Sequence, residues 1–158
     1  MARPPIVAKA RSLDRGGLPL LLGYVLRRAQ SAVFADFAST FAKAGEAVTP
    51  GEFGLLVLVE RNAGLSQMAL ARALGIDRST LVPILNRLQA RGLLVRRASP
   101  TDGRTHALGL TPAGEKALAK FARLVKAHEK RIAADLSAAE TRTLIELLEK
   151  VRVSARSL

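Results

Sequence analysis

The chain has 158 residues, of which 49% are hydrophobic and only 4% aromatic, so one domain with helical extensions and an aliphatic, helix-rich core is expected. Lys and Arg number 25 against 13 for Asp and Glu, a formal net charge of +12, which favours a polyanionic partner, nucleic acid before an anionic membrane. No cysteine is present, which excludes disulfides, zinc–thiolate sites, iron–sulfur clusters and thiol redox sensing.

Residues 1–17, "MARPPIVAKARSLDRGG", combine prolines, glycines and basic side chains and read as a basic N-terminal tail. The longest apolar run follows, "LPLLLGYVL" at 18–26. It is far shorter than the roughly 20 residues of a bilayer span. The N-terminus also lacks an apolar stretch leading to a small-residue cleavage site. A cytoplasmic protein with no membrane partner is therefore expected. From Leu18 to about Ala44 the pattern is helical, with Phe34, Phe37 and Phe41 recurring on one face.

"TPGE" at 49–52 is a helix start. Thr49 caps, Pro50 takes the first helical position, and Glu52 returns a hydrogen bond to the cap. That helix is predicted to stop between Asn62 and Gly64. Ser66 caps a short helix, "QMALARAL", which Gly75 ends. Asp77 or Ser79 caps the next, which runs to Gly92 with Pro83 inside it; were Thr80 the effective cap, Pro83 would fall in the first turn and lose no bond. "LLVRRA" (93–98) and "THALGL" (105–110) read as strands joined by the turn "SPTDGR". Thr111 and Pro112 open a helix to about residue 135. Ser137 with Glu140 makes a second capping box before a final helix striped by Leu144, Leu147, Leu148 and Val151.

Two short helices around a glycine, then a hairpin, form the winged variant of the helix-turn-helix. The predicted fold class is mainly α with a small β-hairpin wing. The expected division is a tail at 1–17, a DNA-binding winged helix-turn-helix at 49–111, and a helical dimerisation layer from 18–48 and 112–158.

The segment "GIDRSTLVPILNRLQARG" (75–92) carries the functional argument. At about 100° per residue, Leu81, Ile84, Leu85 and Leu88 share one stripe, and Ser79, Pro83, Asn86 and Ala90 lie opposite, flanked by Val82 and Arg87. An outward face of short polar, apolar and amide side chains suits a major groove. Asn86 is suited to reading an adenine, and Val82 and Pro83 to packing on thymine methyls. Ser79, Thr80 and the helix's N-terminal amides are placed to hold phosphates. Residues 72–104 contain seven arginines (72, 78, 87, 91, 96, 97 and 104) against Asp77 and Asp102, an electrostatic footprint for double-stranded DNA. Arg104 at the hairpin tip suits a minor groove, with Asp102 orienting it. Ser66, Gln67, Arg78 and Arg97 complete the candidate contacts.

The run from Thr49 to Leu118 resembles the MarR-type winged-helix transcriptional regulators. The residues carrying the resemblance are "TPGEFGLLVLV", "LSQMALARALGIDRSTLVPILNRLQARGLLVRR" and "SPTDGRTHALGLTPAGEKAL". It implies a homodimeric repressor, joined through its terminal helices, that reads an inverted-repeat operator. It makes 77–87 the recognition helix, Arg104 the minor-groove residue and Asp102 its partner. Many members have D-R-R at the wing tip; here Gly103 replaces the first Arg. "STLVPIL" is similar to a segment of the peroxide-sensing branch, whose sensing cysteine this chain lacks. The resemblance also implies release from DNA by a small aromatic-acid or acyl-thioester effector. Candidate wall residues are Tyr24, Arg27, Arg28, Phe34, Phe37, Phe53 and His128. No enzyme, cofactor or metal site is expected: "HEKRI" (128–132) lacks the second histidine of a zinc-protease helix, and no phosphate-binding glycine loop is present.

Overall fold

In the computed structural model, residues 13–62, 64–98 and 106–155 are described, without the side chains of residues 97, 98 and 106. The chain divides after Val33 into two compact units.

The first unit holds a short 3₁₀ turn, Leu18–Leu20, and the first half of helix α1, Leu22–Lys43. The helix expected from Leu18 thus begins four residues later. Pro19 has no N–H to offer, and the chain there closes i to i+3 bonds, Leu20 N to the Gly17 carbonyl and Leu21 N to that of Leu18. None of the described residues in this unit is buried.

From Phe34 onward the order is the rest of α1, then α2 (Pro50–Arg61), α3 (Gln67–Leu74), α4 (Arg78–Ala90), β1 (Leu94–Ala98), β2 (His106–Leu110), α5 (Pro112–Ile132) and α6 (Ala138–Ser154). Each predicted start is capped as its local sequence dictates. Thr49 and Ser137 form complete capping boxes with Glu52 and Glu140, Ser66 accepts from the Ala69 amide, and Thr111 from that of Gly114. Gly75 ends α3 at φ 67°, the left-handed conformation that a side chain disfavours. Helix α5 ends at Ile132, three residues short of the expected end, where the chain tightens into i to i+3 bonds through Ala134 and Leu136.

One core joins these elements except α6. Phe37 and Phe41 from the end of α1 meet Leu55, Leu56 and Val59 of α2, Leu70 of α3, Leu81, Leu85 and Leu88 of α4, Leu94 and Leu108 of the hairpin, and Leu118 and Phe121 of α5. Each fully buried leucine contributes about 1.5–3 kcal/mol relative to exposure. β1 and β2 pair antiparallel, with Leu94 opposite Leu110 and Arg96 opposite Leu108. The hairpin base is clamped to α5: the Thr111 amide donates to the Leu93 carbonyl at 3.1 Å, and its hydroxyl to the Gly92 carbonyl at 2.5 Å. A Cβ on Gly114 would lie 2.0 Å from the Leu93 carbonyl oxygen, so only glycine lets α5 start this close to the hairpin.

Candidate nucleic-acid interface

Helix α4 presents the outward face expected from its periodicity. Leu81, Leu85 and Leu88 are fully buried, whereas Ser79, Pro83, Asn86, Arg87 and Ala90 are exposed and Val82 half-buried. Arg78, at the first helical position, is exposed, and Ser66 and Gln67 lie half-buried at the start of α3. What the periodicity does not tell is how far these side chains are already engaged.

The N-terminus of α4 is one such case. Asp77 is the cap: its Oδ1 accepts from the Thr80 amide at 2.7 Å, while the Ser79 and Thr80 hydroxyls also donate to its carboxylate. These bonds, led by that from Ser79, lower the Asp77 pKa from its ordinary value. The expected phosphate cradle is therefore partly filled by the protein's own anion. Ser79 and Thr80 must turn their hydroxyls away from Asp77 to donate to a phosphate.

Capping at Asp77 also decides the position of Pro83. It is the sixth residue of α4 and not in the first turn, so Thr80 is not the effective cap. Pro83 has no N–H for the Ser79 carbonyl, and the helix forgoes that bond.

Arg87, expected at the groove, is tied inward. Its Nε and Nη2 each lie 3.1 Å from Glu52 Oε1, while Glu52 Oε2 accepts from the Thr49 amide at 2.8 Å. Glu52 is buried, so its charge needs both partners. The pair fixes α4 against the start of α2. Arg91 is similarly engaged, donating to the Ala47 carbonyl at 2.7 Å. Arg96 Nη2 donates to Asn86 Oδ1 at 2.9 Å, so the amide expected to read a base already has a partner. Asp102 and Arg104 lie outside the described residues, as does the Arg97 side chain.

The expected effector residues fall in both units. In the first unit, the Arg28 guanidinium lies 5.9 Å from the Tyr24 ring centroid, and Arg27 is exposed. In the second unit Phe34 is exposed, but Phe37 stacks on Phe41 with ring centroids 4.4 Å apart and belongs to the core. Phe53 packs half-buried against that core. His128 is 2% exposed, edge-on to Phe37, with Nδ1 2.6 Å from Asp36 Oδ2. Arg131 completes a cluster that sequence reasoning missed: it donates to both Asp36 oxygens, at 3.3 and 2.9 Å, and to the Thr40 hydroxyl. The Arg131 bond, and after it that of His128, holds the Asp36 carboxyl down to about 2. The i, i+4 spacing of Asp36 and Thr40 was visible, but nothing local marks residues more than 90 positions away as their partners.

Among the described residues no three His, Cys, Asp or Glu side chains gather to hold a metal, and no helix is long and apolar enough to cross a membrane.

The model of the MarR family matches residues 48–105. A putative transcriptional regulatory protein for the hcr operon of Thauera aromatica is 43% identical over 147 residues, 93% of this chain and 88% of that protein. The chain belongs to the MarR family. It is a transcriptional regulator with the winged-helix fold of that family. The transcriptional repressor CouR, solved bound to a 23-mer DNA duplex, is similar over 89% of this chain and 99% of its own, at a TM-score of 0.83 and 39% identity. Its complex with p-coumaroyl-CoA matches 89% and 98% of the two chains, at a TM-score of 0.81 and 38% identity. The residues matched by the family model include α2, α3, α4 and β1.

Proposed function

We propose that this MarR-family regulator is a homodimeric, cytoplasmic repressor that binds an inverted-repeat operator and is released by an aromatic acid or its acyl thioester. The observation that carries the reading is the exposed face of α4, with Ser79, Pro83 and Asn86 outward above three fully buried leucines. It belongs to a chain 39% identical to a repressor solved on DNA. Each α4 enters a major groove; Val82 and Pro83 pack on bases, and Ser66, Gln67, Arg78, Ser79, Thr80 and Arg97 hold the backbone. Arg104, oriented by Asp102, enters the minor groove. Residues 49–111 form the DNA-binding domain, and 18–48 with 112–158 the dimerisation layer. In support, α6 buries no residue within its own chain and exposes Leu144, Leu147 and Leu148. The work is recognition without a catalytic step.

The effector class is supported by the likeness to CouR bound to p-coumaroyl-CoA and by the aromatic–cation pairing of Tyr24 with Arg28, beside Arg27. Fluorescence anisotropy on the promoter region of its own gene tests both parts. The expected result is a preference of at least about a thousandfold over scrambled DNA, abolished by an aromatic acyl-CoA. Equal affinity for scrambled DNA would overturn the operator reading, and affinity unmoved by any aromatic acid or thioester the effector reading.

A further inference from the structure

We infer that Glu52, buried on α2, positions Arg87 for DNA: it holds one edge of the guanidinium so that another edge clamps a backbone phosphate. The inference rests on the DNA-binding reading of α4. Arg87 lies one helical turn beyond Pro83 and next to Asn86, both on the exposed face of that helix. Its side chain remains 57% exposed, whereas that of Glu52 is only 5% exposed. Glu52 is fixed at both oxygens. Its Oε2 accepts from the Thr49 amide at 2.8 Å, closing the capping box of α2. Its Oε1 accepts from Arg87 Nε and Nη2, each at 3.1 Å.

Guanidinium is planar and carries its N–H donors in a fixed fork. Nε–H and one N–H of Nη2 form the edge that meets Glu52. The second N–H of Nη2 and one of Nη1 form another edge, which the ion pair does not use. Two parallel donors of this kind match two oxygens of a phosphate. A surface arginine reaches a phosphate by swinging its whole head group toward it. Arg87 cannot do so, because leaving Glu52 would strand a buried carboxylate without its counter-ion. It therefore meets DNA while still held, which fixes where along the backbone the contact falls. The pair carries no net charge, so Arg87 brings geometry more than attraction. Such a contact sets the register of α4 in the groove. Glu52 is thus a positioning residue, acting on DNA through Arg87.

Anisotropy on the operator and on a scrambled duplex tests this in full-length wild type, Arg87→Lys, Glu52→Gln and the double variant, with melting temperatures measured alongside. Arg87→Lys keeps the charge and a partner for Glu52 but loses the second edge. It should bind the operator about tenfold or more weakly and scrambled DNA as wild type does. Glu52→Gln keeps a carbonyl for the Thr49 amide but sets NH₂ against the Arg87 donors, and removes one negative charge. Its operator affinity should fall, while affinity for scrambled DNA, which follows charge, should stay level or rise. With Gln at 52, Arg87→Lys should cost far less than in wild type. Operator affinity unchanged in Arg87→Lys would overturn the inference. So would a Glu52→Gln protein that binds both duplexes more tightly, the mark of a carboxylate that merely neutralises. Equal losses on both duplexes with a lowered melting temperature would make Glu52 structural only and overturn it too. If Glu52→Gln fails to fold, Arg87→Lys decides alone, since it leaves the carboxylate paired. Wild type with no preference for the operator would instead defeat the operator reading, and this inference with it.

Discussion

Helices α4 and α6 are built alike at their starts and differ in what they cover. Each is capped by a side chain bonded to an amide three residues on, Asp77 to Thr80 and Ser137 to Glu140, and each carries a leucine stripe at helical spacing. In α4 the stripe is fully buried by the chain's own core, whereas in α6 Leu144, Leu147 and Leu148 remain 45%, 51% and 38% exposed. Periodicity thus says that a helix has a face to bury. It does not say whether the covering surface belongs to the same chain.

Truncating the stripe of α4 gives the largest effect. Leu85→Ala leaves a cavity among Leu81, Leu88 and their neighbours and should cost about 2–5 kcal/mol. Because the cavity lies within one chain, the loss in denaturant unfolding should not depend on protein concentration. A cost that shrinks as concentration rises would place the core of α4 in the interface as well, and the contrast with α6 would disappear.

A charge on the stripe of α6 should act in the opposite way. Leu148→Asp buries nothing wrongly within its own chain, so the helical circular dichroism should stay near wild type. Sedimentation should show a monomer, and operator affinity should fall about a hundredfold or more, as two linked half-site contacts become one. A variant that stays dimeric and keeps its operator affinity would mean that the exposed stripe is ordinary surface.

The same contrast explains how much could be read from the sequence. The caps at Thr49, Ser66, Thr111 and Ser137, the glycine stop at Gly75 and the inward stripe of α4 were legible, because each depends on residues within a turn or two. The engagement of the site was not. Glu52 meets Arg87 across 35 positions, and Asp36 meets His128 across 92. Both pairs exist only once the core has brought α1, α2, α4 and α5 together. Arg87 and Arg96 therefore looked like free cations in the sequence, whereas in the fold Arg87 is tied to Glu52 and Arg96 to Asn86. The burial of His128 and Phe37 was not legible for a related reason. Buried aromatic and imidazole side chains carry the same residue types whether they line a cavity or fill a core.

The smallest effect expected on α4 carries the opposite sign. Pro83 occupies the exposed face at the sixth helical position, where it forgoes one bond to the Ser79 carbonyl. Pro83→Ala restores that bond and a better helix former without touching the core. It should raise stability by about 1 kcal/mol, below the roughly 3 kcal/mol typical of a helix interior, because the proline is within two turns of the start. If the outward face of α4 meets DNA, the same variant should bind the operator more weakly even though its helix is stronger. Nothing of the kind is expected on α6, where a stabilising substitution on the exposed polar side should leave operator binding unchanged. A Pro83→Ala protein that is both more stable and equally tight would show that the proline is merely tolerated; one that is tighter would show that it bends α4 away from the groove.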